Sequence, residues 1–110
     1  MKGFTDINQS KQLAEFLPLE SADTIWDLTN PDLPTIRAIP YEDSDYNNKY
    51  LNIIPAWSLA TLYSVLPTFT LDSSDDNYFR MHCCKIFTEW HDNPIDCCVE
   101  MILKIKEKYL

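Results

Sequence analysis

The chain has 110 residues, 45% of them apolar and 24% charged, which suits a single domain with one core and is not the composition of a disordered chain. Its formal charge is -8, with -5 carried by residues 1–66 and -3 by residues 67–110, so no basic patch exists for a phosphate backbone. Direct nucleic-acid binding and attachment to an anionic membrane are therefore not expected.

No stretch approaches the roughly 20 apolar residues of a membrane span. Met1-Lys2-Gly3-Phe4-Thr5-Asp6 runs straight into polar residues and offers no hydrophobic signal region. The expected compartment is the cytoplasm, and the four cysteines are expected as reduced thiols. Gly3 is the one glycine, so turns that need positive φ must use Asn or Asp; Asn47-Asn48 and Asp75-Asp76-Asn77 are the candidates.

Thr5 is placed to cap a first helix, with Asp6 in its first turn and Pro18 as its stop. Ile7, Leu13, Ala14, Phe16 and Leu17 supply its apolar face. Ala22 to Leu28 reads as a short strand and Thr35 to Ile39 as a second, ended by Pro40. Tyr41 to Tyr50 is an acidic, tyrosine-bearing loop. A second helix runs from Ala56 or Ser58 to Leu66, entered through Pro55 and Ser58 and stopped by Pro67. Leu59, Leu62, Tyr63 and Leu66 carry the helical core spacing, and a well-buried helix is expected.

Thr68 to Leu71 reads as a strand, followed by the polar turn 72–77. Tyr78 to Cys84 follows, with Phe79, Met81 and Cys83 on one face. Ile86 to Trp90 continues as a strand whose apolar phase slips by one, which predicts a bulge or tight turn at Cys84-Lys85. The last helix is capped by Asn93, with Pro94 at its first position and Asp96 at its third. Its stripe is Ile95, Cys98, Val99, Ile102, Ile105 and Tyr109. The fold class is α+β over a single domain, residues 1–110. A small antiparallel sheet of three to five short strands is expected, with about three helices and the C-terminal helix packed on the sheet.

Several segments carry a resemblance. They are Phe4-Thr5-Asp6-Ile7 with Gln9-Ser10-Lys11, then Ser21-Ala22-Asp23, Ile54-Pro55-Ala56-Trp57-Ser58-Leu59 and Leu66-Pro67. Asp92-Asn93-Pro94-Ile95-Asp96 follows, with Cys98-Val99 and Met101-Ile102. On these the chain resembles small uncharacterised proteins encoded in prophages and mobile elements of gut anaerobic bacteria. The resemblance implies a bacterial or phage origin and a cytoplasmic setting. It supplies no catalytic residue.

Candidate chemistry is sparse. His82, Cys83, Cys84, His91, Cys97 and Cys98 lack the spaced cysteine pairs of a zinc site. On a strand, Cys83 and Cys84 point to opposite faces; on a helix, Cys97 and Cys98 diverge by about 100°. Cys83 and Cys98 read as small core hydrophobes. Cys84 with His82, or Cys97 near a helix start, is the alternative of a thiol nucleophile. Asp43-x-Asp45-x-Asn47 and Asp72-x-Ser74-x-Asp76 begin like calcium loops but lack the turn glycine and the bidentate glutamate. Trp26, Trp57 and Trp90 read as core or half-buried residues rather than a pocket lining. One glycine permits no phosphate-binding loop, and no cofactor motif is present, so no cofactor is expected.

The expected function is that of a small non-enzymatic accessory or protein-interaction domain from a phage or mobile element. Its expected partner is a host or mobile-element protein. The candidate interaction surface is Tyr41, Glu42, Asp43, Asp45, Tyr46 and Tyr50. A sharper version has the carboxylates gathered on one face to imitate nucleic-acid charge. The alternatives are a small thiol-dependent enzyme and a Cys/His metal-binding module.

Overall fold

A computed structural model describes residues 2–30, 32–38 and 53–109. Among these, three α-helices and six strands appear, in an α+β arrangement. Helix α1 spans Ile7–Ala14, followed by a 3-10 turn at Leu19–Ser21. Strands β1 (Thr24–Asp27), β2 (Thr35–Ala38) and β3 (Ile53–Ala56) come next, then helix α2 (Leu59–Val65). Strands β4 (Thr70–Ser73), β5 (Phe79–Cys83) and β6 (Ile86–Phe87) lead to helix α3 (Pro94–Tyr109).

The strands form two antiparallel sheets rather than one, ordered β2-β1-β3 and β4-β5-β6. Strand β3 is the element that a reading for helix signals passes over. Pro55 looks like a helix entry, yet it lies within β3 opposite Ile25. Proline is tolerated there because β3 is an edge strand, where one backbone donor can be missing. Ser58 is the true cap of α2, accepting from the Thr61 N–H. Within α2 only Leu62 is buried, so this helix rides higher on the core than its apolar composition implies.

Helix α1 is capped by Asp6, not Thr5. The Asp6 carboxylate accepts from the Gln9 N–H at 2.8 Å and the Gln9 side chain accepts from the Asp6 N–H at 3.0 Å, a reciprocal capping box. Thr5 is unavailable because it is buried and its hydroxyl already meets Ser10 Oγ at 2.7 Å and accepts the Trp57 N–H at 3.1 Å. Helix α1 ends at Ala14, short of Pro18.

Strands β5 and β6 form a hairpin pairing His82 with Phe87 and Cys83 with Ile86, which leaves Cys84-Lys85 as a two-residue turn. Both turn residues have positive φ, 55° and 65°. That is the primed turn whose twist matches the strands, normally built from Asn-Gly. Asn77, with φ 63°, fills the positive-φ role expected of the 72–77 turn.

Helix α3 begins as read: Asn93 Oδ1 accepts from the Asp96 N–H at 2.9 Å. It packs on β5 and β6 and also touches α1 and α2. With neighbours on two sides it buries more than one stripe. Cys97 and Met101 are enclosed along with Ile95, Cys98, Val99 and Ile102. The core joins these to Leu13, Trp57, Leu62, Met81 and Cys83.

Asp96 also ties the chain's start to α3. Lys2 Nζ donates to it at 2.8 Å, Gln9 Nε2 at 2.7 Å and Asn93 Nδ2 at 2.8 Å. Burial disfavours the charged form, but these donors and the Lys2 charge outweigh it and hold the Asp96 carboxyl below its ordinary 3.8. A folded-state pKa below the unfolded one gives stability that is present above pH 3.8 and lost as pH falls through the folded value. Asp96→Ala should lower unfolding free energy by about 2 kcal/mol at neutral pH. Urea titrations across pH 2–7 should show the variant with a shallower acid decline than the parent. Lys85→Gly should raise stability by about 1 kcal/mol, because glycine carries no penalty for the left-handed backbone; thermal unfolding reads it directly.

Candidate functional site

Strand alternation gives β5 two faces. Phe79, Met81 and Cys83 turn toward the core, and Met81 and Cys83 are buried. Tyr78, Arg80 and His82 therefore share the opposite face. There the His82 and Phe87 rings lie nearly parallel, with centroids 4.2 Å apart and 4° between planes. The Arg80 guanidinium sits 5.1 Å from the Phe87 ring centre and 4.8 Å from that of Trp90. Arg80 also reaches the Asp72 carboxylate at 3.3 Å, straight across the β4–β5 ladder.

The result is a row of flat groups, His82, Phe87, Arg80 and Trp90, on the outer side of the second sheet. Phe87 is 51% exposed, Trp90 45% and Tyr78 47%. Each cation–π contact is worth about 0.5–1 kcal/mol at an exposed site. The row is therefore held in place before anything touches it. Large apolar groups gathered on a surface mark interaction sites, whereas scattered ones carry no meaning.

Phe79, Met81 and Cys83 share one face as their alternation predicts, whereas His82, on the other face and expected as a possible partner of Cys84, stacks on Phe87. The signal of that other face was present in the Tyr78, Arg80, His82 alternation. Trp90 lies beyond β6, where Thr88 breaks the simple ladder: its hydroxyl accepts the Met81 N–H and its own N–H donates to the Met81 carbonyl. The three tryptophans do not converge. Trp57 is fully enclosed with Nε1 donating to Ser21, and half-buried Trp26 donates to the Thr5 carbonyl. The acidic loop surface, Tyr41, Glu42, Asp43, Asp45, Tyr46 and Tyr50, lies outside the described residues. So does the first calcium-like segment, apart from its end at Ile54.

The second calcium-like segment has other employment. Asp72 pairs with Arg80, and Ser74 closes the turn by accepting the Tyr78 N–H at 3.2 Å and donating its own N–H to the Tyr78 carbonyl at 2.8 Å. Among the described residues no group of three or more His, Cys, Asp or Glu side chains is arranged to hold a metal ion. The carboxylates seen in contacts work locally rather than in a row. Asp6 caps α1, Asp23 holds Ser58, and Asp27 pairs with Arg37.

Glu100 illustrates the same point. It meets His91 Nε2 at 2.6 Å and Lys104 at 2.8 Å, and it accepts the Glu89 N–H. Burial alone raises its pKa, but Lys104, His91 and the Glu89 N–H more than offset that and leave the carboxyl below its ordinary range. With both oxygens engaged, Glu100 fastens the segment after β6 to α3. That engagement points His91 at Glu100.

The three buried thiols are poorly suited to attack. Burial pushes Cys83 up to about 11, with the Cys84 thiol adding to it. Burial likewise lifts Cys97 to about 11 and Cys98 to about 12. Cys97 lies in the first turn of α3, where helix ends favour thiolate, yet desolvation wins. Its Sγ donates to the Phe79 carbonyl at 3.1 Å. Cys83 and Cys84 do not diverge as a continuous strand would require. Cys84 has left β5 for the turn, and the two sulfurs lie 3.3 Å apart without a bond.

One apolar groove of about 200 Å³ runs between the ends of the helices, lined by Phe16, Leu17, Leu66, Pro67 and Ile102. It falls below the roughly 300–1,000 Å³ of small-molecule sites. Under native conditions iodoacetamide should modify Cys84 readily while Cys97 and Cys98 react only after denaturation, as peptide mass mapping would show.

No protein-family model matches the chain, and neither a curated protein nor a solved structure matches it.

Proposed function

We propose that this domain is a non-enzymatic protein-interaction module, a cytoplasmic accessory of the kind carried by phages and mobile elements. Its docking face is the outer side of the β4-β5-β6 sheet. The observation that carries this reading is the stacked row of His82, Phe87, Arg80 and Trp90, with half its aromatic surface open to solvent. Tryptophan, tyrosine and arginine dominate the energetics of protein interfaces because they bury much area at low entropy cost. All three occur here within one strand's reach.

The chemistry of the face suits a protein surface better than a nucleic acid. Arg80 is already balanced by Asp72, and the chain carries -8 overall. Flat rings without surplus positive charge favour proline or aromatic side chains of a partner. The resemblance to mobile-element proteins supports a host or element protein as that partner. Burial of Cys97 weighs against a thiol nucleophile at the helix start, and the His82 ring that would serve exposed Cys84 is stacked on Phe87.

The test is a paired capture from bacterial lysate with the parent and the Phe87→Ser/Trp90→Ser variant. Both substitutions are at exposed positions but remove two cation–π contacts and a ring stack, so the fold should be kept with a melting temperature lower by several degrees. Saturable partner binding should weaken at least tenfold, and cross-links should map to β5 and β6. Equal capture by both proteins, or cross-links confined to the helices, would move the docking face elsewhere.

A further inference from the structure

We propose that Cys83 and Cys84 form a chelating dithiol site for a trivalent thiophilic centre of the arsenic(III) class. The site rests on backbone geometry. Consecutive residues of a strand send side chains to opposite faces. Here the chain turns after Cys83, and Cys84 takes φ 55° as the first residue of a two-residue hairpin. That brings the sulfurs to 3.3 Å. The turn uses Cys and Lys where Asn-Gly would be relaxed, so both residues hold a left-handed backbone that disfavours side chains. Cys84 is exposed, which gives the pair an entrance from solvent, while Cys83 anchors it to the core.

The chemistry narrows the ligand. Two sulfur donors select soft centres. Zinc asks for four protein ligands in a closed site, and no third His, Cys, Asp or Glu joins this pair among the described residues. A direct disulfide fits poorly, because adjacent Cα atoms stand about 3.8 Å apart and disulfides span about 4.4–6.8 Å. A centre that bridges two sulfurs and keeps its third substituent toward solvent suits the observed separation. In the step, two As–O bonds of an arsenic(III) hydroxide break and two As–S bonds form. Each thiol proton leaves with a hydroxide as water. Arsenic stays trivalent, so neither oxidant nor reductant takes part.

Cys97 and Cys98 do not offer the same site. They sit on a helix, where neighbours diverge by about 100°, and both are fully enclosed.

The experiment adds one equivalent of phenylarsine oxide to the reduced full-length protein and reads the intact mass. Denaturation, iodoacetamide and peptide mapping then show which thiols are shielded. The expected result is a single 1:1 adduct that shields Cys83 and Cys84 together. Cys84→Ser, at an exposed turn position, should keep the parent's melting temperature and lose affinity at least about 100-fold, since one thiol replaces two. Shielding of Cys97 and Cys98 instead, undiminished binding by Cys84→Ser, or no adduct with stoichiometric reagent would each overturn the site.

Discussion

Thr5 is the junction on which the rest of the structure depends. It is fully buried, and its polar atoms are all engaged. Its N–H donates to the Trp57 carbonyl at 3.0 Å, and its carbonyl accepts from Trp26 Nε1 at 2.8 Å. Its hydroxyl meets Ser10 and accepts the Trp57 N–H. One residue thus joins α1, β1 and the approach to α2. A buried hydroxyl or amide left unpaired costs about 1–3 kcal/mol, so this constraint fixes where the N-terminal segment must lie. Once it lies there, Lys2 and Gln9 come within reach of Asp96, and the start of the chain is bound to the start of its last helix.

That arrangement leaves the two sheets with unequal duties. The first sheet and α1 enclose the polar junction. The second sheet supplies Met81 and Cys83 to the core and α3 covers its inner side. Its outer side is left open, and the groups found there already hold one another. A surface assembled in advance loses less side-chain freedom when a partner arrives. Such rigidity separates this face from the solvated carboxylates elsewhere, which cap helices or pair with single cations.

Much of the fold was legible in the sequence because the relevant signals are local. The Asn93-Pro94-Asp96 start of α3, the Ser58 cap and the tight turn at Cys84-Lys85 all depend on residues a few positions apart. Thr5 and Asp6 could not be told apart as caps, because the choice is made by Trp57, 52 positions away. Strand β3 was hidden by Pro55, whose meaning depends on whether a neighbouring strand lies on that side. The outer row of the second sheet was half legible. Alternation along Tyr78, Arg80 and His82 is a period-two pattern, but it needed Phe87 and Trp90 from the far side of a turn to become a row. The approach of the two sulfurs was not legible at all, since strand periodicity argues for separation until the turn begins.

Pro55 has a further consequence. Sheet margins are templates onto which foreign strands can zip, and exposed ones seed aggregates. Strand β3, one of the two outer strands of the first sheet, is short, and the ring nitrogen of Pro55 offers no hydrogen to an incoming chain. A molecule that keeps aromatic rings in water runs a constant risk of sticking to copies of itself. Blunting one margin with an imino acid removes one route to that fate.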